Sequence, residues 1–236
     1  MRIAGLQKMT LLDFPGKVAC TVFLPGCNFR CPFCHNGGLV EGDSPDSMDE
    51  EELLAFLNKR RGLLDGVCFT GGEPTLQPGL GDLLRRIRDL GFQIKLDTNG
   101  ALPERLKGLV QEGLGDYVAM DLKNCPRHYP LTAGIDEKLF VGVEESVRFL
   151  MSEAVDYEFR TTVVAEFHDD EAIEEMANWI LKISGGKQAK RLFLQKFVDR
   201  DSVLQSGLHA PQEDEIARWQ EILRPCTQYI GVRGMD

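Results

Sequence analysis

The chain of 236 residues has no long apolar run and no excess of positive charge. No stretch approaches the roughly 18 apolar residues of a membrane-spanning helix, and the N-terminus does not resemble a signal peptide. We therefore expect a cytoplasmic protein with no membrane partner, in which thiols stay reduced. The formal net charge of −10 argues against a nucleic-acid partner, because phosphate binding requires a basic surface.

Cysteine is sparse outside one short segment. Three of the seven cysteines, Cys27, Cys31 and Cys34, form a C-x3-C-x2-C pattern just after an apolar run, and the other four are isolated. This spacing lets one loop hold one metal centre, and three thiolates would leave one iron of an iron–sulfur cluster open for another ligand. A zinc site and an oxidised pair are the alternatives. Zinc would need a fourth ligand, and His35 is too close to Cys34 to complete a tetrahedron easily.

Predicted strands alternate with predicted helices along the whole chain. The strands are 18–24, 66–69, 93–96, 117–122, 157–164 and 191–197, and the helices are 49–64, 80–90, 103–112, 143–154, 170–183 and 212–223. Residues 1–17, 37–47 and 124–138 are predicted to be irregular. The alternation is typical of an α/β fold with a parallel sheet, either an open doubly wound sheet or an incomplete barrel. We predict one domain, 1–236, with a core of about 10–198 and a C-terminal helical extension of about 199–236.

The cysteine pattern, with Phe33 before its last cysteine, resembles the radical S-adenosylmethionine (SAM) superfamily. The following His35-Asn36 and the upstream Leu-Asp-Phe-Pro-Gly at 12–16 resemble the anaerobic ribonucleoside-triphosphate reductase activating proteins. Those proteins are relatives of the pyruvate formate-lyase activating enzymes. The likeness runs from about residue 10 to about 198. It implies a partial (β/α)6 TIM-like barrel, in which functional residues follow the carboxyl ends of the strands.

Two motifs at strand ends match the cofactor-binding elements of this family. A pair of glycines lets a ligand approach the backbone closely, although a tight strand-to-helix turn would also use them. The resemblance assigns the first motif to the methionine part of SAM: Gly71, Gly72, Glu73, which would brace the turn, and Pro74. The second motif, Asp-Thr-Asn-Gly, places Asp97 and Asn99 on the ribose side. Asp97 could instead cap the following helix.

Charged residues follow in the next two strands. Strand alternation puts Asp121 and Lys123 on one face, either as an internal ion pair or as ligand contacts. Arg160 lies in an apolar strand and needs a carboxylate partner, from a ligand or from a neighbouring residue. The resemblance assigns Lys123 to the SAM carboxylate and lets Asp121 and Asp97 hold a monovalent cation.

The remaining expected contacts are less regular. The resemblance places Phe33 beside the adenine, where a flat ring can stack, and adds Thr162 as a cofactor contact. The relatives carry a histidine on strand six that this chain lacks, and Gln195 is the expected substitute. Lys95 shares a face with Asp97 and is expected to pair with a carboxylate there.

The resemblance also implies a reaction. The three cysteines would bind a [4Fe-4S] cluster whose fourth iron chelates SAM, and a flavodoxin or ferredoxin would reduce it. The 5′-deoxyadenosyl radical then formed would take a hydrogen atom from a glycine of a partner, expected to be anaerobic ribonucleotide reductase. No acid or base is required, in agreement with the lack of a His/Asp/Ser constellation. The alternatives are a radical SAM enzyme with a small-molecule substrate and a non-catalytic metal or iron–sulfur module.

Overall fold

The computed structural model describes residues 1–42 and 48–234. The predicted loop at 37–47 therefore lies partly outside the described residues. Its first four residues form a short helix rather than a loop. Within the described ranges, no helix is both long enough and apolar enough to cross a membrane.

Eight strands form one sheet in which each strand lies beside its neighbours in chain order. They are β1 (Gly5–Thr10), β2 (Ala19–Leu24), β3 (Gly66–Gly71), β4 (Gln93–Thr98), β5 (Tyr117–Asp121), β6 (Asp156–Val163), β7 (Leu192–Lys196) and β8 (Ile230–Arg233). β1 pairs with β2 antiparallel, whereas β2–β3, β3–β4, β6–β7 and β7–β8 are parallel pairs.

Helices connect most of the parallel strands. They are α1 (Gly37–Val40), α2 (Glu50–Lys59), α3 (Leu80–Asp89), α4 (Pro103–Gln111), α5 (Tyr129–Ala133), α6 (Glu137–Met151), α7 (Asp170–Ile183) and α8 (Glu213–Leu223). The sequence explains where α2 begins. The Asp49 side chain accepts from the Glu52 amide, and the Glu52 side chain accepts from the Asp49 amide, which is a capping box.

The chain divides into two compact units. The first comprises 1–28, 38–98 and 104–119. Its main core is formed by apolar side chains from β2, β3 and β4 and from α2 and α3, and Val22, Phe69, Leu83 and Ile94 are fully buried there. Phe14, from the Leu-Asp-Phe-Pro-Gly motif, packs instead with Tyr117 at a ring-centroid distance of 6.2 Å.

The second unit comprises 29–37, 99–103 and 120–236. The rings of Tyr129, Phe140 and Trp179 pack together there, with centroid distances of 4.9 Å from Tyr129 to Phe140 and 5.7 Å from Phe140 to Trp179.

The predicted single-domain organisation stays a prediction.

All six predicted strands are present, but the sequence prediction was wrong at both edges of the sheet. Residues 1–17 were expected to be a lead-in and contain β1, and the extension after 199 was expected to be helical and also contains β8. α6 begins at Glu137, whereas the prediction began at 143, because Asp136 caps it by accepting from the Leu139 amide. The predicted irregular segment 124–138 also contains the short helix α5.

Candidate functional site

The second unit carries Cys31 and Cys34 on a loop that α5 holds in place. The Arg30 amide donates to the carbonyl oxygen of Ala133 at 2.9 Å, and the Cys31 thiol lies 3.8 Å from the same oxygen. Gly134 ends α5 with φ of 62°, and a Cβ atom there would come within 2.7 Å of the Arg30 carbonyl oxygen. The Cys34 amide donates to the Cys31 carbonyl at 3.1 Å, so a tight turn separates the two cysteines.

The first unit carries Cys27, in the segment that follows β2. The Cys27 amide donates to the Val40 carbonyl at 3.1 Å, and the Gly26 amide donates to the Leu39 carbonyl at 2.7 Å. No disulfide joins any of the seven cysteines, all of which lie among the described residues. Three free thiols within eight residues of sequence supply the donor type that iron–sulfur clusters use, so the chemistry of these residues fits the cluster that the resemblance implies. Over residues 1–42 and 48–234, no group of three or more His, Cys, Asp or Glu is already arranged to hold a metal ion.

Gly71 and Gly72 lie at the end of β3, where the backbone of residues 24–26 comes very close. The Gly72 amide donates to the Leu24 carbonyl at 2.8 Å. Gly71 has φ of 110°, and a Cβ atom on Gly72 would come within 2.0 Å of the Gly26 carbonyl oxygen. Both glycines are therefore required by contact with the segment that leads to Cys27, whatever a ligand adds.

Glu73 is buried and holds the turn that follows β3. One oxygen of its carboxylate, Oε1, accepts from the Thr75 amide at 3.0 Å, from the Thr75 hydroxyl at 2.5 Å and from the Thr98 hydroxyl at 2.8 Å. Pro74 then begins a short 3-10 helix. The Glu73 carboxylate thus joins this turn to the last residue of β4.

Asp97 lies near the end of β4 beside two other buried polar side chains. The Lys95 ammonium contacts Asp97 Oδ1 and lies 3.7 Å from Cys68 Sγ, and the Cys68 thiol lies 3.8 Å from Asp97 Oδ1. Only 1% of the Lys95 side chain and 14% of the Asp97 side chain are exposed. The predicted pairing of Lys95 with a carboxylate is confirmed.

Two further residues of this motif, Asn99 and Gly100, hold their own turn. Asn99 Oδ1 accepts from the Ala101 amide at 3.0 Å. Gly100 has φ of 76°, its carbonyl accepts from the Ser146 hydroxyl at 2.6 Å, and a Cβ atom there would come within 2.1 Å of Met120 Cε. These contacts explain the Asn-Gly pair without a hairpin.

A charge cluster lies at the end of β5. Lys123 Nζ lies 2.8 Å from Asp121 Oδ2, as the strand alternation predicted, and Arg160 Nε lies 3.4 Å from Asp121 Oδ1. Arg160 Nε also lies 3.9 Å from Glu158 Oε1. Both carboxylates are therefore partners within the protein for the guanidinium of Arg160, whose side chain is only 13% exposed.

The charge of Lys123 is stabilised by its surroundings. Burial alone would lower the pKa of Lys123, but the charges of Asp121 and Cys31 outweigh it and raise the pKa well above its ordinary value. The Lys123 side chain, 13% exposed, therefore stays cationic. A cationic side chain that keeps part of its surface exposed can bind an anionic group of a ligand.

The other expected contacts belong to the second unit. Phe33 is buried and packs on the Phe167 ring at 5.9 Å, so part of its surface is already covered. Thr162 on β6 lies opposite Gln195 on β7 in the parallel register. The contacts of Phe33, Thr162 and Gln195 with a cofactor stay predictions.

Sequence reasoning missed the environment of His35. Its ring stacks on Phe197 with centroids 5.6 Å apart, and its buried Nε2 has no hydrogen-bond partner within the part of the chain that the structure describes. Burial lowers the pKa of His35, and the charges of Arg200 and Lys123 lower it further against the effect of the Val198 backbone. The only sequence signal was the position of His35 directly after Cys34.

The family model of the radical SAM superfamily matches residues 21–180, more than half of the chain. The chain therefore belongs to the radical SAM superfamily. Membership implies S-adenosylmethionine and an iron–sulfur cluster as cofactors.

Three curated relatives show what the chain is similar to. A Methanocaldococcus jannaschii protein named as a candidate glycyl-radical enzyme activating enzyme is 27% identical over 99% of this chain and 96% of its own. The pyruvate formate-lyase-activating enzyme of Clostridium pasteurianum is 28% identical over 81% of each chain. A candidate GTP 3′,8-cyclase of Sulfolobus acidocaldarius is 33% identical, but over only 51% of this chain and 39% of its own.

A solved structure with the same fold is a domain of the pyruvate-formate lyase-activating enzyme from Bacteroides vulgatus. It matches with a TM-score of 0.58 and 20% identity, over 72% of this chain and 99% of that chain. Together with the mostly parallel eight-stranded sheet, this likeness confirms the predicted α/β fold class of radical SAM type.

Proposed function

We propose that this protein is a glycyl-radical enzyme activating enzyme whose partner is anaerobic ribonucleotide reductase. The observation that carries the proposal is the similarity to a candidate activating enzyme over nearly the full length of both chains, joined to the C-x3-C-x2-C loop. Candidate GTP cyclases share only about half of this chain, which favours an activase over an enzyme with a small-molecule substrate. A non-catalytic iron–sulfur module is the remaining alternative.

In this proposal Cys27, Cys31 and Cys34 hold a [4Fe-4S] cluster. When bound, the cluster and SAM supply the one-electron chemistry that removes a hydrogen atom from a glycine Cα of the partner. A flavodoxin or ferredoxin provides the electron. The proposed location is the cytoplasm, where thiols stay reduced.

The chain's own residues bind and orient the cofactor. The backbone at Gly71 and Gly72 contacts the methionine end, with Glu73 and Pro74 holding the turn. The cationic Lys123 binds the cofactor carboxylate, and Asp121 keeps the Lys123 side chain in place until then. The other proposed contacts are Asp97 and Asn99 on the ribose side, Phe33 beside the adenine, and Arg160, Thr162 and Gln195.

The Leu-Asp-Phe-Pro-Gly motif supports the reductase as partner only through its exposed part. Phe14 is buried against Tyr117, and Asp13 accepts a hydrogen bond of 2.5 Å from the Thr21 hydroxyl, so both serve the fold. Leu12 and the preceding Leu11 are 88% and 68% exposed. These two side chains are the part of the segment that could contact a partner.

The first experiment is anaerobic reconstitution with iron and sulfide, followed by dithionite and SAM and an assay for 5′-deoxyadenosine. Wild type and the control Cys226→Ala are expected to produce it, and Cys31→Ala is expected to produce none. A reducible cluster that never cleaves SAM would refute the enzyme and leave an electron-transfer module. Tight zinc in place of iron would refute the cluster itself.

The second experiment tests the partner. Reconstituted enzyme is mixed with anaerobic ribonucleotide reductase, and separately with pyruvate formate-lyase, and the glycyl radical is measured by electron paramagnetic resonance. A signal with the reductase that weakens in Leu12→Ser supports the proposed partner. SAM cleavage with a signal only from pyruvate formate-lyase would contradict it.

A further inference from the structure

Two buried polar residues of the first unit, Lys95 and Cys68, have no role in the reaction proposed above. Lys95 lies opposite Cys68 in the β3–β4 register, and its ammonium contacts Asp97 Oδ1. The Lys95 side chain is almost completely buried, and Cys68 is fully buried. A lysine in this position requires a compensating anion, because an isolated buried charge is very costly.

The position of Lys95 bears on the monovalent cation that the resemblance implies at Asp97. A metal cation bound to the Asp97 carboxylate would lie within a few ångströms of the Lys95 ammonium. Two like charges at such a distance repel strongly where water is largely excluded. These residues therefore do not fit an exchangeable metal cation, because the Lys95 ammonium already contacts the Asp97 carboxylate.

The second carboxylate expected to hold the cation is also neutralised within its own unit. Asp121 faces Lys123 at 2.8 Å and Arg160 at 3.4 Å. Each of the two carboxylates therefore faces at least one covalently attached cation. An exchangeable ion would meet a positive side chain beside either of them.

We propose that the Lys95 ammonium is a built-in cation at Asp97, and that this chain binds its cofactor without an exchangeable monovalent cation. Lys95 acts as a positioning residue: it fixes the Asp97 carboxylate and does not touch the cofactor itself. The inference rests on the proposed function for the contact between Asp97 and SAM. The salt bridge itself is independent of that function.

The first test measures the thermal midpoint (Tm) of cluster-free protein in choline, sodium and potassium chloride at equal ionic strength. The Tm of wild type is expected to be the same in all three salts. Lys95→Met is expected to have a lower Tm in choline that rises by several degrees in potassium or sodium, because either ion can then bind Asp97 in the native state.

Lys107→Met is the matched control, since it removes a lysine from a partly exposed pair with Glu104. The Tm of this variant should be the same in all three salts. A wild-type Tm that rises specifically in potassium or sodium would overturn the proposal. A folded Lys95→Met protein with no response to either ion would overturn it as well.

A second measurement keeps the test decisive if Lys95→Met does not fold. SAM affinity of reconstituted wild type and of Lys95→Arg, measured by calorimetry, is expected to be the same in choline and potassium chloride. A tenfold gain in wild-type affinity with potassium would refute the built-in cation. The Tm series requires no SAM cleavage, so a failure of the proposed function and a failure of this inference give different results.

Discussion

Single residues in the turns after β3 and β4 hold the backbone in place through their own hydrogen bonds. Glu73 bonds to Thr75 and Thr98, and Asn99 bonds to the amide of Ala101. By contrast, Lys123 and Asp121 keep 13% and 32% of their side chains exposed. The candidate site therefore combines side chains that hold the backbone with side chains that a cofactor can reach.

Replacing Glu73 tests its structural role. Glu73→Ala is expected to lower the free energy of unfolding by about 2–4 kcal/mol, because the Thr75 and Thr98 hydroxyls would lose a buried charged acceptor. Glu73→Gln retains one acceptor oxygen and should lose less than half as much. Urea denaturation of the cluster-free proteins measures both. Equal losses would show that the charge, rather than the acceptor, stabilises the turn.

His168 makes the stability depend on pH. Burial lowers its pKa, and its ring contacts the carbonyl oxygens of Lys123 at 3.0 Å and Val164 at 3.2 Å. Because the folded state keeps His168 neutral while the unfolded chain takes up a proton below about pH 6.5, the stabilisation is complete above that pH and is lost as the pH falls.

We expect His168 to reduce the free energy of unfolding by about 1 kcal/mol between pH 7.5 and pH 5.5. In His168→Gln this part of the pH dependence of the free energy of unfolding should disappear. The part contributed by His35, whose pKa is also lowered by burial, should remain. Urea midpoints at several pH values measure the difference. An unchanged slope in His168→Gln would contradict the assignment.

At the level of elements, the contact between the ends of β2 and β3 fixes the start of the cysteine loop. Gly72→Ala would place a Cβ atom within 2.0 Å of the Gly26 carbonyl oxygen, so we expect a loss of more than about 3 kcal/mol or a failure to fold. Gly108→Ala in α4 is the matched control. It meets no atom within 4 Å and should gain about 0.5–1 kcal/mol of stability. Equal Tm values for the two variants would refute the close contact.

The six inner strands were predictable because each is a short apolar run followed by a helix signal. β1 was not, since Gly-Leu-Gln-Lys-Met-Thr has no apolar run and its last part before Thr10 is exposed. β8 has four residues, one of them glycine, and pairing with β7 defines it. Edge strands of this kind depend on a neighbour that is distant in sequence.

The site was predictable where the spacing alone carries the information, as in the three cysteines. The reason for Gly72 was not, because the Gly26 carbonyl that excludes a side chain lies 46 positions earlier in the chain. The contact between Arg160 and Asp121 likewise depends on strand pairing across 39 positions. The local sequence shows which residues belong to the candidate site. Contacts with residues that are distant in sequence determine what each of them does.

At the level of the whole molecule, six of the seven cysteines fall into two groups with different environments. Burial raises the pKa of Cys20 and of Cys226 to about 12, and it raises the pKa of Cys125 as well. A thiol must lose its proton to bind a metal, so these three are poor ligands. Cys27 and Cys34 are only half-buried, and the buried Cys31 interacts electrostatically with the cationic Lys123.

This sorting predicts the iron content of the reconstituted protein. Wild type should hold about four irons per chain with the absorbance of a [4Fe-4S] cluster, and Cys20→Ala, Cys125→Ala and Cys226→Ala should each retain it. Alanine at 27, 31 or 34 should reduce the iron to less than about a quarter, because two thiolates do not hold the cluster. Iron analysis and absorbance spectra of the six variants measure this without SAM or a partner. Loss of iron in Cys20→Ala or Cys226→Ala, with the protein still folded, would show that a buried thiol is a ligand and that the loop alone does not define the cluster.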